Sequence, residues 1–254
     1  SPFSVSNGGK LLRAAQFFIE MESKLTVLCV RFGNKYGPEY VERLRNMVAR
    51  HLTIPYEFVC LTDDQHPIEG VRNIILSDQG YTKKWWHKVH MFDPSLGLNG
   101  RILYLDLDVV IVNNIDKLVK DYTKNEFLGI RDFNRKFNPG WKILNSSVMS
   151  WIAGQHPDIY TVFKNNMNKA QQLHGDQDWI FQVAKGRIIF WPDQFIMSYK
   201  WEIRDRTEIS FGTMPRKFKT IKNPPIPNDC SILVFHGDPN PHDVEDPVIV
   251  DNWQ

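Results

Sequence analysis

The sequence predicts an α/β protein: a single compact domain in which a mixed, mostly parallel central sheet is flanked by helices. Three observations carry this. Short apolar, β-branched runs alternate with segments of helical periodicity between residues 25 and 112, the pattern that a parallel sheet requires. Acidic residues (Asp63, Asp106, Asp108) stand at the ends of such runs, where open α/β sheets bind ligands. The chain has 254 residues, 42% of them hydrophobic, enough to bury a sizeable core.

The elements follow in order. Residues 1–22 are an N-terminal extension: SPFSVSNGG reads as flexible, and KLLRAAQFFIEME (10–22) has helical composition with a face that could meet a partner copy. The main domain covers 23–245, divided near 112, and 246–254 is a tail. LTVLCVRF (25–32) is a strand broken by Gly33 and Gly37-Pro38. Val41, Leu44, Val48 and Leu52 lie at helical spacing in 39–52. YEFVCLT (56–62) and VRNIIL (71–76) are strands, KKWWHKVHMF (83–92) a helix, and RILYLDLDVVIV (101–112) one strand. Beyond it, 126–133 and 143–151 read as strands, 158–173 and 174–184 as helices, 187–192 and 231–237 as strands. The segment from 202 is rich in proline and charge, and the tail DPNPHDVEDPVIVDNWQ reads as irregular.

Composition narrows the function. A net charge of +2 gives no reason to expect a nucleic-acid partner. No apolar run reaches the roughly 18 residues of a membrane span, so no integral membrane segment is expected. The three cysteines (Cys29, Cys60, Cys230) have no metal-like spacing, and two lie in strand-like runs; buried free thiols and a cytoplasmic location are the expectation.

The informative stretch is LYLDLDVV. Charge inside so apolar a run requires a partner. The two carboxylates, Asp106 and Asp108, converge on one point if the backbone turns there. A hard divalent cation would neutralise both, since magnesium and manganese favour oxygen ligands and often bind through a few carboxylates plus substrate phosphates. An ion pair or a turn cap is the bland alternative. His236, at the end of the last strand and followed by GDPNP, is a candidate third ligand.

LYLDLDVVIVNNID, NSSVM, GDQDW and FHGDPNPHD, in this order, resemble the nucleotide-sugar-dependent glycosyltransferases of the GT-A fold. The likeness is greatest to the glycogenin-like (family eight) enzymes and related bacterial ones, and covers roughly residues 25–245. The resemblance implies a nucleotide-binding half (23–112) and a half for donor sugar and acceptor (113–245). It implies a UDP-sugar donor, and Mn2+ (or Mg2+) on the donor diphosphate held by Asp106, Asp108 and His236, with Asp106 also touching the ribose. Retention of anomeric configuration is implied as well, and a glycan, lipid or small-molecule acceptor. Val30, Arg31, Phe32 and Tyr36 match the family's base-binding segment; Thr62 and Asp63 match the second strand end. Lys88 in KKWWHK is expected to contact nucleotide or transferred sugar, with Trp86 beside it. Leu105 and Leu107 frame the carboxylates. Asn145 and Ser146 fall beside the donor sugar, Asp176 and Gln177 on the reacting face, and Arg131 and Asp132 on the sugar or acceptor side. Asp178 reads as a helix-start carboxylate. Gly237 and Asn240 belong to the diphosphate loop.

One departure stands out. Asn240 occupies the place where the resembled pattern reads lysine, in HGDPNP. An amide supplies a hydrogen bond but no charge, so leaving-group stabilisation would fall to the metal, Lys88, Arg31 or Lys200. Two alternatives follow: a silent UDP-binding module, and a sugar-phosphate nucleotidylyltransferase. The second needs a glycine-rich basic loop after the first strand, and VRFGNKYGPEY is not one.

Overall fold

The computed structural model describes residues 7–122, 126–204 and 220–254. Its first helix, α1 (Asn7–Ser23), leads into β1 (Leu25–Arg31). Helix α2 (Pro38–His51) follows, with proline in its first turn, Glu39 near the positive end of the dipole and Arg50 and His51 near the negative end. Its buried stripe of Tyr40, Val41, Leu44, Met47 and Val48 faces the sheet. Strands β2 (Tyr56–Thr62) and β3 (Arg72–Ile75) come next, then a 3₁₀ segment, Lys84–Phe92, where periodicity had suggested an ordinary helix.

The run 101–112 is not one strand. β4 (Arg101–Leu105) ends before Asp106, the chain turns through Leu107 and Asp108, and β5 (Val109–Ile111) enters a different sheet. The second half supplies β6 (Phe127–Arg131), β7 (Leu144–Ile152), α3 (Asp158–Asn165), α4 (Met167–Ala170), α5 (Asp176–Ala184), β8 (Ile188–Phe190), β9 (Ile196–Ser198) and β10 (Ile232–Val234). The single helix expected over 158–173 is thus broken at Asn166, and the tail expected to be irregular contains α6 (Pro247–Asn252).

The main sheet has the order β3-β2-β1-β4-β7-β6-β8. β3, β2, β1 and β4 are mutually parallel, β7 is antiparallel to both neighbours, and β8 pairs parallel with β6. A second sheet, β5-β10-β9, holds β10 in its centre. Two apolar clusters cover the faces. One joins α2 to the second sheet; the other packs the 3₁₀ segment, α3 and α5 against the sheet. The chain's last residues are tied to α2, where Arg43 donates to Trp253 O at 2.7 Å and Arg50 to Asn252 O at 2.6 Å. Among the described residues no helix is long and apolar enough to cross a membrane.

Topology fixes where polar groups gather. β1 and β4 run parallel, so Arg31 and Asp106 emerge at the same edge. β7 runs the other way, with Leu105 opposite Val148, so Asn145, Ser146 and Ser147 continue past the end of β4 and flank the carboxylates. In the second sheet Val234 pairs with Val109, and the chain before Val109 and after Val234 reaches that same edge carrying Asp108 and His236.

Candidate active site

A cavity of about 460 Å³ opens at this edge. It is lined by Val30, Arg31, Phe32 and Tyr36 after β1, by Asp106, Leu107 and Asp108, by Asn145 and Ser146, by Asp176 and Gln177, and by Lys88, His236 and Gly237. A volume of this order suits a small-molecule ligand.

Lys88 is the electrostatic centre. Its ammonium lies 2.6 Å from Asp106 and 3.6 Å from Asp176. Burial alone would lower its pKa, but the two carboxylates outweigh that and raise it, so the group stays charged. Asp106 also accepts a hydrogen bond from Tyr104, and its backbone N–H donates to Ser147 O at 2.8 Å, which pins the turn. Asp176, in the first turn of α5, accepts from Ser146 Oγ at 3.1 Å, and Gln177 accepts from Ser146 N at 3.0 Å. Burial raises the Asp176 carboxyl, with Lys88 opposing.

Among the described residues no cation forms an ion pair with Asp108. Its hydrogen-bond donor is Tyr36, at 3.2 Å. Burial, reinforced by Asp106, pushes its carboxyl up to about 7, against Lys88 and Lys35. Asn240 lies 3.0 Å from the same tyrosine hydroxyl, and its backbone N–H donates to Asp243. The residue in place of the expected lysine therefore braces Tyr36, and it does not line the cavity. His236 is stacked on Phe133 and edge-on to Trp201; burial, with Lys200 nearby, lowers its pKa to about 4, so the ring is neutral at pH 7. Its Nε2 is 2.6 Å from Ser198 Oγ. Gly237 follows in the left-handed region (φ 74°), a turn that glycine makes without strain.

The residues were tested for fit to a divalent cation. The cavity wall carries five carboxylates (Asp106, Asp108, Asp132, Asp176, Asp178). Of its cations, Arg31 is bound to Asp64 at 2.8 Å and Lys84 to Asp78. Lys35 and Lys88 remain against the five carboxylates, and the excess of negative charge fits a cation. Among the described residues no three His, Cys, Asp or Glu side chains converge to enclose one. Two carboxylates completed by substrate phosphates is an arrangement that hard cations accept.

Several expected residues lie elsewhere. Trp86, expected beside the nucleotide, is buried against Phe163 in the core; it is Trp85 that reaches the cavity. Leu105 is wholly buried as the last residue of β4. Thr62 is buried with its hydroxyl accepting from Asp64 N, and Asp63 is exposed outside the cavity lining. Arg131 forms an ion pair with Asp193 and donates to two backbone carbonyls, so it braces the wall from behind. Lys200 donates to Asp238 O. Reasoning from sequence missed Lys35, Asn134, His174 and Trp201, which also line the cavity.

This mixed, mostly parallel sheet flanked by helices is a GT-A-like fold, shared with glycosyltransferases of solved structure. The glycosyltransferase GlyE of Streptococcus pneumoniae TIGR4, in its apo form, superposes with a TM-score of 0.50 at 19% identity, over 68% of this chain and 46% of that one. An active-site mutant of LgtC gives 0.59 at 13% identity, over 87% and 90%. The bifunctional glycosyltransferase WbbM, also apo, gives 0.57 at 12%, over 91% and 50%. The chain thus spans about half the length of the GlyE and WbbM structures. At these identities the likeness is one of fold. No protein-family model matches the chain, and no curated protein matches it in sequence.

Proposed function

We propose that the protein is a glycosyltransferase that moves a hexose from a UDP-sugar to an acceptor hydroxyl, with the help of Mn2+ or Mg2+ and with retention of anomeric configuration. The observation that carries this reading is the Asp106–Lys88–Asp176 bridge, with Asp108 half-buried and short of positive charge beside it. It sits at the strand edge where open α/β sheets bind ligands, in a fold shared with glycosyltransferases.

Each side chain then has a task. Departure of the diphosphate leaves negative charge on that group and positive charge on the sugar. A divalent ion, if bound at Asp106 and Asp108, supplies Lewis-acid stabilisation of the leaving group. Lys88 is held charged and immobile between two carboxylates, so its field acts without reorganisation. Phe32 and Val30 offer apolar surface to a base, and Tyr36 holds the orientation of Asp108. Asn145 and Ser146 present polar groups to the sugar. Asp176 Oδ2 accepts from Ser146 and faces Lys88, which suits a holding role; retention is what the sequence resemblance implies.

A second reading, a silent UDP-binding module, has one observation in its favour: Asn240 is turned to Tyr36 and brings no charge to the cavity. Thermal unfolding with each nucleoside diphosphate, with and without Mn2+, tests both. UDP with Mn2+ at a hundred times its Kd should stabilise by about 2.7 kcal/mol. Stabilisation by another nucleotide and not by UDP, or a full Mn2+-dependent shift in Asp108→Ala, refutes the assignment. Binding without UDP-sugar hydrolysis or transfer to any acceptor selects the silent module.

A further inference from the structure

We propose that His236 serves this site as an Nδ1–H donor to the leaving diphosphate and not as a metal ligand, and that Ser198 is the positioning residue that imposes this tautomer. The inference rests on the glycosyl-transfer reading and specifies one side chain within it.

The argument begins with register. β9 and β10 run parallel with Ser198 beside Val234, which brings Ser198 Oγ to 2.6 Å from His236 Nε2. Ser198 is fully buried. Its oxygen already accepts a hydrogen bond from Trp201 N at 3.1 Å, at the start of the π-helical turn Tyr199–Arg204. The hydroxyl hydrogen must go elsewhere, because a buried donor left unpaired is costly. Among the described residues its acceptor is His236 Nε2. The hydroxyl therefore donates, Nε2 accepts, and in the neutral ring the proton resides on Nδ1.

Neighbouring rings hold the plane of the imidazole, and Ser198 selects the orientation within it. The imidazole is stacked on Phe133 (centroids 5.3 Å apart, planes at 13°) and edge-on to Trp201 at 4.4 Å. Nδ1 has no hydrogen-bond partner among the described residues and is not fully enclosed, and His236 lines the cavity. A ring nitrogen carrying hydrogen has no lone pair for a cation, but it suits an anionic oxygen. The site gains a fixed donor whose hydrogen bond strengthens as charge develops on the diphosphate, with no proton transferred. Such a donor answers the loss of charge where Asn240 replaces the lysine of the resembled pattern.

The test is a long-range proton–nitrogen NMR correlation on protein labelled with 15N-histidine, with His236 assigned by its absence in His236→Phe. The expected pattern in the free protein is a protonated Nδ1 and a bare Nε2. Ser198→Ala should lose it and Ser198→Thr should restore it. Addition of UDP or inorganic pyrophosphate with diamagnetic Mg2+ should shift Nδ1 while it keeps its proton. With chelator present, His236→Phe should weaken pyrophosphate binding about tenfold. A ring protonated on Nε2 in the free protein, or an Nδ1 that loses its proton when Mg2+ and UDP are added, overturns this inference alone. If neither UDP nor pyrophosphate binds the wild type, the diphosphate role falls together with the donor reading; if pyrophosphate shifts Nδ1 but UDP does not bind, the nucleotide is wrong and the role of His236 stands.

Discussion

Asp108→Asn should make the unliganded protein more stable at pH 8 while abolishing cation-dependent nucleotide binding. The magnitude comes from the site itself. Burial and Asp106 raise the Asp108 carboxyl from 3.8 to about 7. A folded-state pKa above the unfolded value means that the native state binds more protons between the two, so stability falls as pH rises from about 4 to about 7. Three units at 1.36 kcal/mol each set an upper bound of about 4 kcal/mol for the penalty at pH 8. Asp108 keeps partial contact with the cavity, which reduces this to roughly 1–3 kcal/mol. Asparagine is nearly isosteric and can still accept from Tyr36, so it removes the charge without opening a hole. Urea unfolding of wild type and variant at pH 5 and pH 8 is the assay, with metal chelated. The gap should be near 1–3 kcal/mol in favour of the variant at pH 8 and should shrink as pH falls towards 5. An equal or lower stability of the variant at pH 8 would show that Asp108 is not held against its solvation preference, and the argument for a missing cation would lose its basis.

Lys88→Met should act in the opposite direction. It leaves Asp106 and Asp176 buried without their counter-ion, a loss of about 3 kcal/mol at pH 7 in urea unfolding, and acidification, which protonates the carboxylates, should recover part of it. The adjacent tryptophans should separate cleanly in the same measurement: Trp86→Ala removes a core side chain and costs about 3–5 kcal/mol, whereas Trp85→Ala at the cavity rim should change stability by no more than about 0.5 kcal/mol.

The elements legible in the sequence were those whose periodicity and punctuation agree. α2 shows why: proline at its start, a spaced apolar stripe and basic residues in its last turn all mark the same helix. The carboxylates at the end of β4 were legible because charge interrupts so apolar a run. The turn between them was not: a strand buried on both faces has no alternation, so nothing marks where 101–112 leaves one sheet for another. Trp85 and Trp86 look alike in composition, and which one faces the core is decided by a 3₁₀ geometry that local propensity does not announce. β9 is three residues long, so Ser198 had no strand around it to suggest a role; its neighbour across β10 gives it one. In the tail, which reads as irregular, Pro247 after Asp246 is a helix start signal.

The central place of β10 in the small sheet also dictates an order of manufacture. Among the described residues β5 pairs in that sheet with β10 alone, and β10 is made 120-odd residues later. At about 5–20 residues per second, a growing chain carries Val109–Ile111 unpaired for roughly 6–25 s after synthesis, although β1, β2 and β4 can already associate. During that interval three apolar residues with bare edges are an invitation to wrong pairing. The carboxylates exist early, but the wall bearing His236 is made 128 residues after Asp108, so a nascent chain first holds half a pocket.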